Sequence, residues 1–296
     1  PRVFDAWDID ATYASSGEEI TDVEQSSVVE SGPHRAAIRV TKRFRHSRIT
    51  QDVRLWSNSA RLDLRTKLEW RDRRWLLKAR FPVAVRSGTA SFETAFGLVE
   101  RPTHRNTQWD AARFEVAGHR FGFLFEPGYG VALLNDGRYG YHAHGNELGL
   151  SLLRSPVYPD PLADEGEQIF TYSLYPFAGD WVHAGLLAEA DDLNRPLLVR
   201  RVRAAAEASA RPLIVEGLPV ALGSLKVLEE GTGALLRIYE PRGARGRIDM
   251  TLATDWDVGG QLNLLEEPVA SESPLIGPFE VRSFMLKAPG AGLSRS

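Results

Sequence analysis

The chain has no cysteine, only two methionines, and only five lysines, Lys42, Lys67, Lys78, Lys226 and Lys287. Without cysteine there is neither a disulfide framework nor thiol chemistry. No asparagine lies in an Asn-x-Ser/Thr acceptor pattern, which removes one sign of a glycosylated secretory protein. No apolar run approaches the ~20 residues that span a bilayer. Neither sign of charge dominates. The net charge is −3, so no electrostatic case arises for nucleic acid or an anionic membrane. The chain opens Pro1-Arg2-Val3-Phe4, with neither an initiator methionine nor a signal-peptide pattern. These absences predict a cytoplasmic protein and an excised piece of a longer chain. The excess of arginine over lysine is read as a bacterial, GC-rich codon bias.

What is present is a β-pattern. At 296 residues the chain is long enough for one large β-domain, or one large and one small. The clearest signal lies at residues 61–70. Leu62, Leu64, Leu68 and Trp70 face one way, and Arg61, Asp63, Arg65, Lys67 and Glu69 the other. That period of two predicts one buried and one wet face, as in an antiparallel sheet. Ile38 with Val40, and Val53 with Leu55, extend the pattern upstream. Further strands are predicted at 75–85, 92–99, 113–125 and on to Pro176, with residues 13–25 as a polar loop. Residues 182–194 are the best helical candidate, and 201–210 read as a linker. From Pro212 a second β-pattern begins. The fold class expected is all-β, a large antiparallel sandwich over residues 1–205, a small β-sandwich over 206–290 and a disordered tail at 291–296.

Ordered blocks carry a family resemblance. Phe4-Asp5-Ala6-Trp7-Asp8-Ile9-Asp10 comes first, then Arg101-Pro102-Thr103-His104-Arg105-Asn106-Thr107. The stretch Gly128 to Trp181 holds ALLNDGRYG, LSLLRSP, YPDP and FTYSLYPFAGDW. Leu236-Arg237-Ile238-Tyr239-Glu240 and Pro278-Phe279-Glu280-Val281 close the series. Together they resemble the C-terminal β-region of glycoside hydrolase family 38 α-mannosidases, the cytosolic and bacterial branch in particular. The resemblance implies a supersandwich followed by a small sandwich. It also implies a parent enzyme that hydrolyses α-mannosidic bonds in mannose-containing glycans. The implied partner is a zinc-dependent catalytic barrel in the same parent chain, holding the metal and both catalytic aspartates. No segment here resembles those motifs, so no catalytic residue, metal ligand or cofactor is assigned to this chain, and alone it is predicted inactive.

Two stretches are candidates for sugar contact. Asn135, Asp136, Arg138 and Tyr139 lie within five residues of one turn and combine amide, carboxylate, guanidinium and aromatic groups. The resemblance puts the matching loop near the catalytic cleft. The alternative is a turn held by Asx hydrogen bonds. Trp109, beside His104, Arg105 and Asn106, is the second, since an exposed indole stacks on a sugar face. An apolar docking patch is expected near 104–110 or 135–141. His142 and His144 share a strand face, as a metal pair would, but lack further ligands and read as ordinary loop histidines. Asp5, Asp8, Asp10, Asp160 and Asp164 read as turn-capping carboxylates. Two rival functions are a free-standing carbohydrate-binding module and a mutarotase-like enzyme. The second needs a converging His–Glu pair, for which His119 or His183 with Glu115 or Glu189 are available.

Overall fold

A computed structural model describes residues 3–199, 201, 213–252, 256–269 and 273–287. The fold is all-β, and it divides into two compact units. One comprises 1–93 with 99–197, and the other comprises 198–296 with the hairpin tip 94–98. The expected linker, apart from Arg201, and the expected tail lie outside the described residues.

In the first unit the strands are β1 (Val23–Ser31), β2 (Arg35–Phe44), β3 (Ser47–Trp56), β4 (Leu62–Trp70), β5 (Leu77–Pro82), β6 (Thr89–Thr94) and β7 (Gly97–Pro102). A short helix α1 (Gln108–Ala112) leads to β8 (Val116–Ala117), β9 (Phe121–Glu126), β10 (Tyr129–Asn135), β11 (Gly140–His144), β12 (Glu147–Leu153) and β13 (Gly166–Ala178), and α2 (Leu186–Asn194) follows. Nine strands form one sheet in the order β1-β2-β3-β4-β13-β10-β9-β6-β7, and four form another in the order β5-β12-β11-β8. The main core lies between them. Leu68, Trp70, Phe92, Leu124, Leu133 and Phe170 from the large sheet meet Leu77, Ala79, Tyr141, Leu148 and Leu150 from the small one. Alternation supplies these residues, because every second side chain of a strand points to the same layer.

The structure corrects three local expectations and shows one packing feature that the strand pattern left open. Residues 13–25 are not all loop, since a 3-10 turn spans Tyr13–Ser16 and β1 begins at Val23. That strand is an edge strand exposed along most of its length, so it shows no apolar period to read. The helix begins at Leu186, not 182. Phe121 and Phe123 are as buried as Leu124, because α2 and Trp181 cover the outer face of β9 and β10. Trp181 packs on Phe121 and Phe123 with ring centroids 6.1 and 5.6 Å away, and Leu186 and Ala190 of α2 are fully buried. Finally, the charged face of β4 is wet only in part. Arg61 and Asp63 are buried. Arg61 Nε donates to Asp63 Oδ1 at 2.7 Å and Nη1 to Glu189 Oε2 of α2 at 2.9 Å. Trp56 Nε1 and Ser173 Oγ complete the Asp63 carboxylate at 2.8 and 2.7 Å. A buried ion pair persists only when its remaining lone pairs are met in this way.

The second unit contains β14 (Leu213–Gly217), β15 (Ala221–Val227), β16 (Ala234–Tyr239), β17 (Gly246–Leu252), β18 (Asp257–Leu262), β19 (Leu275–Ile276) and β20 (Val281–Lys287). They form sheets of order β14-β17-β19 and β15-β16-β20-β18, packed around Leu236, Ile238, Phe284 and Leu286. The buried Glu240 carboxylate fixes the turn after β16, accepting the N–H groups of Arg242, Gly243 and Phe279 at 3.0, 2.7 and 3.1 Å.

Candidate functional site

The turn between β10 and β11 is built on Asn135. Its side chain is fully buried. Its Oδ1 accepts the N–H groups of Gly137 and Arg138 at 2.8 and 2.6 Å. Its Nδ2 donates to His119 O at 2.7 Å and to Tyr141 Oη at 2.5 Å, and its own carbonyl accepts from Asn194 of α2 at 3.0 Å. Gly137 takes φ +145°, a conformation that glycine alone adopts readily. Asn135 is therefore committed to the turn and has no group left for a sugar.

Asp136 is held partly in the same way. Its Oδ2 accepts Thr171 N–H at 2.8 Å, and its own N–H donates to Thr171 O at 3.1 Å. Burial of the carboxyl pushes its pKa above the usual carboxylate value, against the Thr171 hydrogen bonds and the Arg138 charge. Arg138 is half-buried, with its guanidinium 4.2 Å over the Phe170 ring and Nη2 donating to Gln168 at 2.8 Å. Burial pulls its pKa down, with Asp164 and Asp136 opposing. Tyr139 is 58% exposed and stands edge-on to His119.

Trp109 is 77% exposed on α1. Thr107 and Asp110 form a capping box that starts this helix. The loop that carries it leaves from Thr103, whose O accepts Gly145 N–H at one end of β11, and rejoins the sheet at Val116 and Ala117, which pair with Tyr141 and Gly140 at the other. Neither stretch carries the contiguous apolar patch expected of it, because Trp109 stands among exposed polar residues and Leu133 and Leu134 are buried. An exposed aromatic cluster lies elsewhere. Phe4, Trp7 and Tyr158 meet at 5.6–6.3 Å between centroids, with their rings inclined to one another.

The carboxylates Asp5, Asp160 and Asp164 accept backbone N–H groups. Asp5 takes Val157 and Tyr158 at 3.0 Å each, and the Val157 hydrogen bond leads the causes that lower its pKa. Asp160 takes Leu162, and Asp164 takes Arg154 and Ser155. The pairs suggested for a mutarotase do not converge. Glu189 binds Arg61, Glu115 binds Lys78, and His183 binds its neighbour Asp180.

A polar cluster that sequence reading missed lies on the outer face of the four-stranded sheet. Lys78, buried, is paired with Glu115 and donates to Ser151 Oγ at 3.0 Å. Tyr13 Oη donates to Glu115 Oε1 at 2.5 Å from the 3-10 turn that closes over the cluster. His142 Nε2 meets Glu147 Oε1 at 2.8 Å, and Arg80 grips both oxygens of Glu147 at 2.9 Å each. The imidazole lies on Gly149, where a Cβ would sit 1.8 Å from His142 Cε1. His142 Nδ1 has no hydrogen-bond partner and is 3.8 Å from Glu115 Oε1. Burial lowers the Lys78 pKa, with Glu115 opposing. Burial and the Lys78 charge lower that of His142. Burial works against the charge of Glu147, but Arg80 and His142 outweigh it and hold its pKa down. Lys78, Ser151, His142 and Glu147 come from three strands, so only their register brings them together.

These are the residue types of acid–base chemistry, but the cluster is closed and almost wholly paired. An open recess of about 400 Å³, lined in part by Val83, Val85, Arg86, Glu126 and Asn146, holds one carboxylate, Glu126, which accepts Arg86 N–H at 2.7 Å. The donor set does not fit zinc. His142 Nε2 is taken by Glu147 and His144 Nδ1 lies 3.1 Å from Thr103 O. Among the described residues no three His, Asp or Glu side chains gather as metal ligands. Among them, too, no helix is long and apolar enough to cross a membrane.

Residues 1–162 match the family model described as glycosyl hydrolases family 38 C-terminal domain, and residues 219–284 match the family 38 C-terminal beta sandwich domain. The chain is 32% identical over 300 residues to alpha-mannosidase G of Dictyostelium discoideum, covering 95% of this chain and 28% of that protein. It is 35% identical over 274 residues to human alpha-mannosidase 2C1, covering 90% of this chain and 26% of that protein. The chain thus spans little more than a quarter of the length of these relatives. A crystal structure of an alpha-mannosidase from Enterococcus faecalis shares the fold at a TM-score of 0.78 and 17% identity, over 90% of this chain and 35% of that one.

Proposed function

The chain belongs to the C-terminal region of glycosyl hydrolase family 38, and from that membership we propose that it is the non-catalytic β-region of an α-mannosidase. In this reading it packs on the catalytic barrel of the same parent chain and completes the cleft that takes mannose-containing glycans. The parent is cytoplasmic, and its zinc and catalytic aspartates belong to the part outside this chain. The observation that carries the reading is the pair of family matches, one in each structural unit and both to C-terminal domains. The experiment is hydrolysis of a chromogenic α-mannoside, with and without added zinc. The full-length parent turns it over and this chain alone does not. Zinc-dependent turnover by this chain, free of contaminating mannosidase, contradicts the reading.

Within it, Asp136, Arg138, Tyr139 and Trp109 are the residues that reach the cleft rim, while Asn135 holds the turn beneath them. Asp136→Ala in the full-length enzyme then lowers kcat/KM about ten- to a hundredfold, the worth of a charged hydrogen bond of roughly 1.5–3 kcal/mol. A variant with a lower Tm and full activity returns Asp136 to a purely structural role.

A free-standing carbohydrate-binding module is the second reading, favoured by the exposure of Trp109 and Tyr139. Titration of this chain with mannose oligosaccharides, followed by tryptophan fluorescence, separates the two.

A further inference from the structure

The nine-stranded sheet is wider than the layer that covers it. Its inner face runs without a break from the core across β4, β3, β2 and β1. Tyr172, Leu64, Val53, Ile38 and Val28 are directly paired across five neighbouring strands. Tyr172 is core and Leu64 packs against it. Outward from there the cover ends. Val53 is half-buried, Ile38 is 47% exposed and Val28 is 70% exposed. The next row repeats the trend, with Leu62 half-buried and its partner Leu55 54% exposed.

The opposite face of β2 and β3 carries paired charges. Arg39 grips Asp52 at 2.7 and 3.1 Å, and Arg54 adds a third contact at 3.0 Å. Strands β2 and β3 are thus amphipathic in the ordinary sense, but their apolar side is the bare one, and Val28 of β1 extends it. With strands ~4.8 Å apart, β1 to β4 present an aliphatic strip ~14 Å wide. Contiguous exposed aliphatic surface of this kind is the sort that interaction sites use.

We propose that this overhang of β1–β3 is the surface on which the missing part of the parent polypeptide docks, through an apolar helix or strand face laid across Val28, Ile38, Val53 and Leu55. The inference rests on the reading of the chain as one region of a longer α-mannosidase, and it names the residues that join the two. The relatives keep close to three-quarters of their length outside the region matched here, so the covering layer has a source in the same polypeptide. A covalently tethered domain meets the strip at an effective concentration of order millimolar, which favours it over a second copy of the chain.

The test is thiol accessibility at position 38. This chain has no native cysteine, so Ile38→Cys labelled with a maleimide reports one site, read by peptide mass in both the isolated chain and the full-length parent. Docking predicts labelling at least tenfold slower in the full-length protein. Equal rates in the two overturn the proposal. So does a concentration-dependent dimer of the isolated chain that protects the thiol, if the full-length protein leaves it accessible. A second variant, Val28→Lys with Ile38→Lys, is expected to leave the Tm of the isolated chain nearly unchanged. In the full-length parent it splits a single unfolding transition into two and lowers kcat/KM by tenfold or more. Unchanged unfolding and activity of that full-length variant also overturn the proposal. The wild-type full-length protein is assayed on an α-mannoside in parallel. Protection at position 38 without hydrolysis leaves docking intact and removes the enzymatic reading. Hydrolysis with a freely labelled position 38 does the reverse.

Discussion

The outer face of the four-stranded sheet and the overhang of β1–β3 are both built from alternate residues of antiparallel strands, yet they end in opposite states. The first is polar and buried, since Tyr13 and Glu115 close over Lys78, Ser151 and His142. The second is aliphatic and open. Buried charge that is fully hydrogen-bonded costs less than its desolvation alone suggests, but it becomes expensive once one partner is removed. Exposed aliphatic surface is neutral for the isolated chain and valuable once another apolar face meets it. In the reading proposed above, the closed cluster serves the integrity of this chain and the open strip serves a partner.

The largest effect is expected in the closed cluster. Glu115→Ala strands the Lys78 ammonium in a buried site and should cost about 3–5 kcal/mol in denaturant unfolding. Replacing both by apolar residues, Lys78→Met with Glu115→Leu, should restore most of it. If the single variant is as stable as the wild type, the closed cluster does not hold this chain together. Next comes Gly149→Ala, whose methyl group would fall inside the His142 ring. Overpacking of this kind costs about 1–3 kcal/mol. A neutral result, read from Tm, would mean that the imidazole moves away freely.

His142 makes the closed cluster sensitive to pH. Its pKa is lowered in the folded chain from the ordinary 6.5. The unfolded chain therefore takes up a proton first as pH falls, and stability declines from pH 6.5 down to the folded value. Glu115 and Glu147, which favour the imidazolium, and Lys78, which opposes it, all face this ring. Glu147, held down from 4.5, adds a loss in the same direction at lower pH. Urea unfolding between pH 7 and pH 5 should show a shallower decline for His142→Gln than for the wild type. An identical slope would remove His142 from the acid sensitivity. The smallest effect belongs to the open strip. Val28→Lys with Ile38→Lys should change the stability of the isolated chain by no more than about 0.5 kcal/mol, as for other exposed positions. A loss of several kcal/mol would show that the strip is already covered within this chain.

Which face each residue points to was legible in the sequence, but which layer lies over that face was not. Leu68 and Trp70 face inward as the period at 61–70 predicts. Arg61 and Asp63 share the predicted wet face, but α2, more than a hundred residues away, covers them. Period-two patterning carries no information about such a long-range lid. The same limit hid the Lys78 cluster, whose members meet only through the pairing of β5, β12 and β11. At the candidate turn the residue types were legible and their commitments were not. Asn135 reads as an amide free for sugar, but it is spent on Gly137, Arg138, His119 and Tyr141. The ordered blocks, by contrast, are local in sequence, so the family was legible in them without any long-range contact.

If this chain completes an α-mannosidase, as proposed, the remainder of the parent needs it for turnover. The most direct measurement is reconstitution: the remainder of the parent, expressed without residues 1–296, is assayed on a chromogenic α-mannoside before and after this chain is added in trans. Little or no hydrolysis is expected from the remainder alone, with recovery that saturates with added wild-type chain and no recovery with the Val28→Lys, Ile38→Lys variant. Full hydrolysis by the remainder alone, unaffected by the added chain, would contradict the proposal.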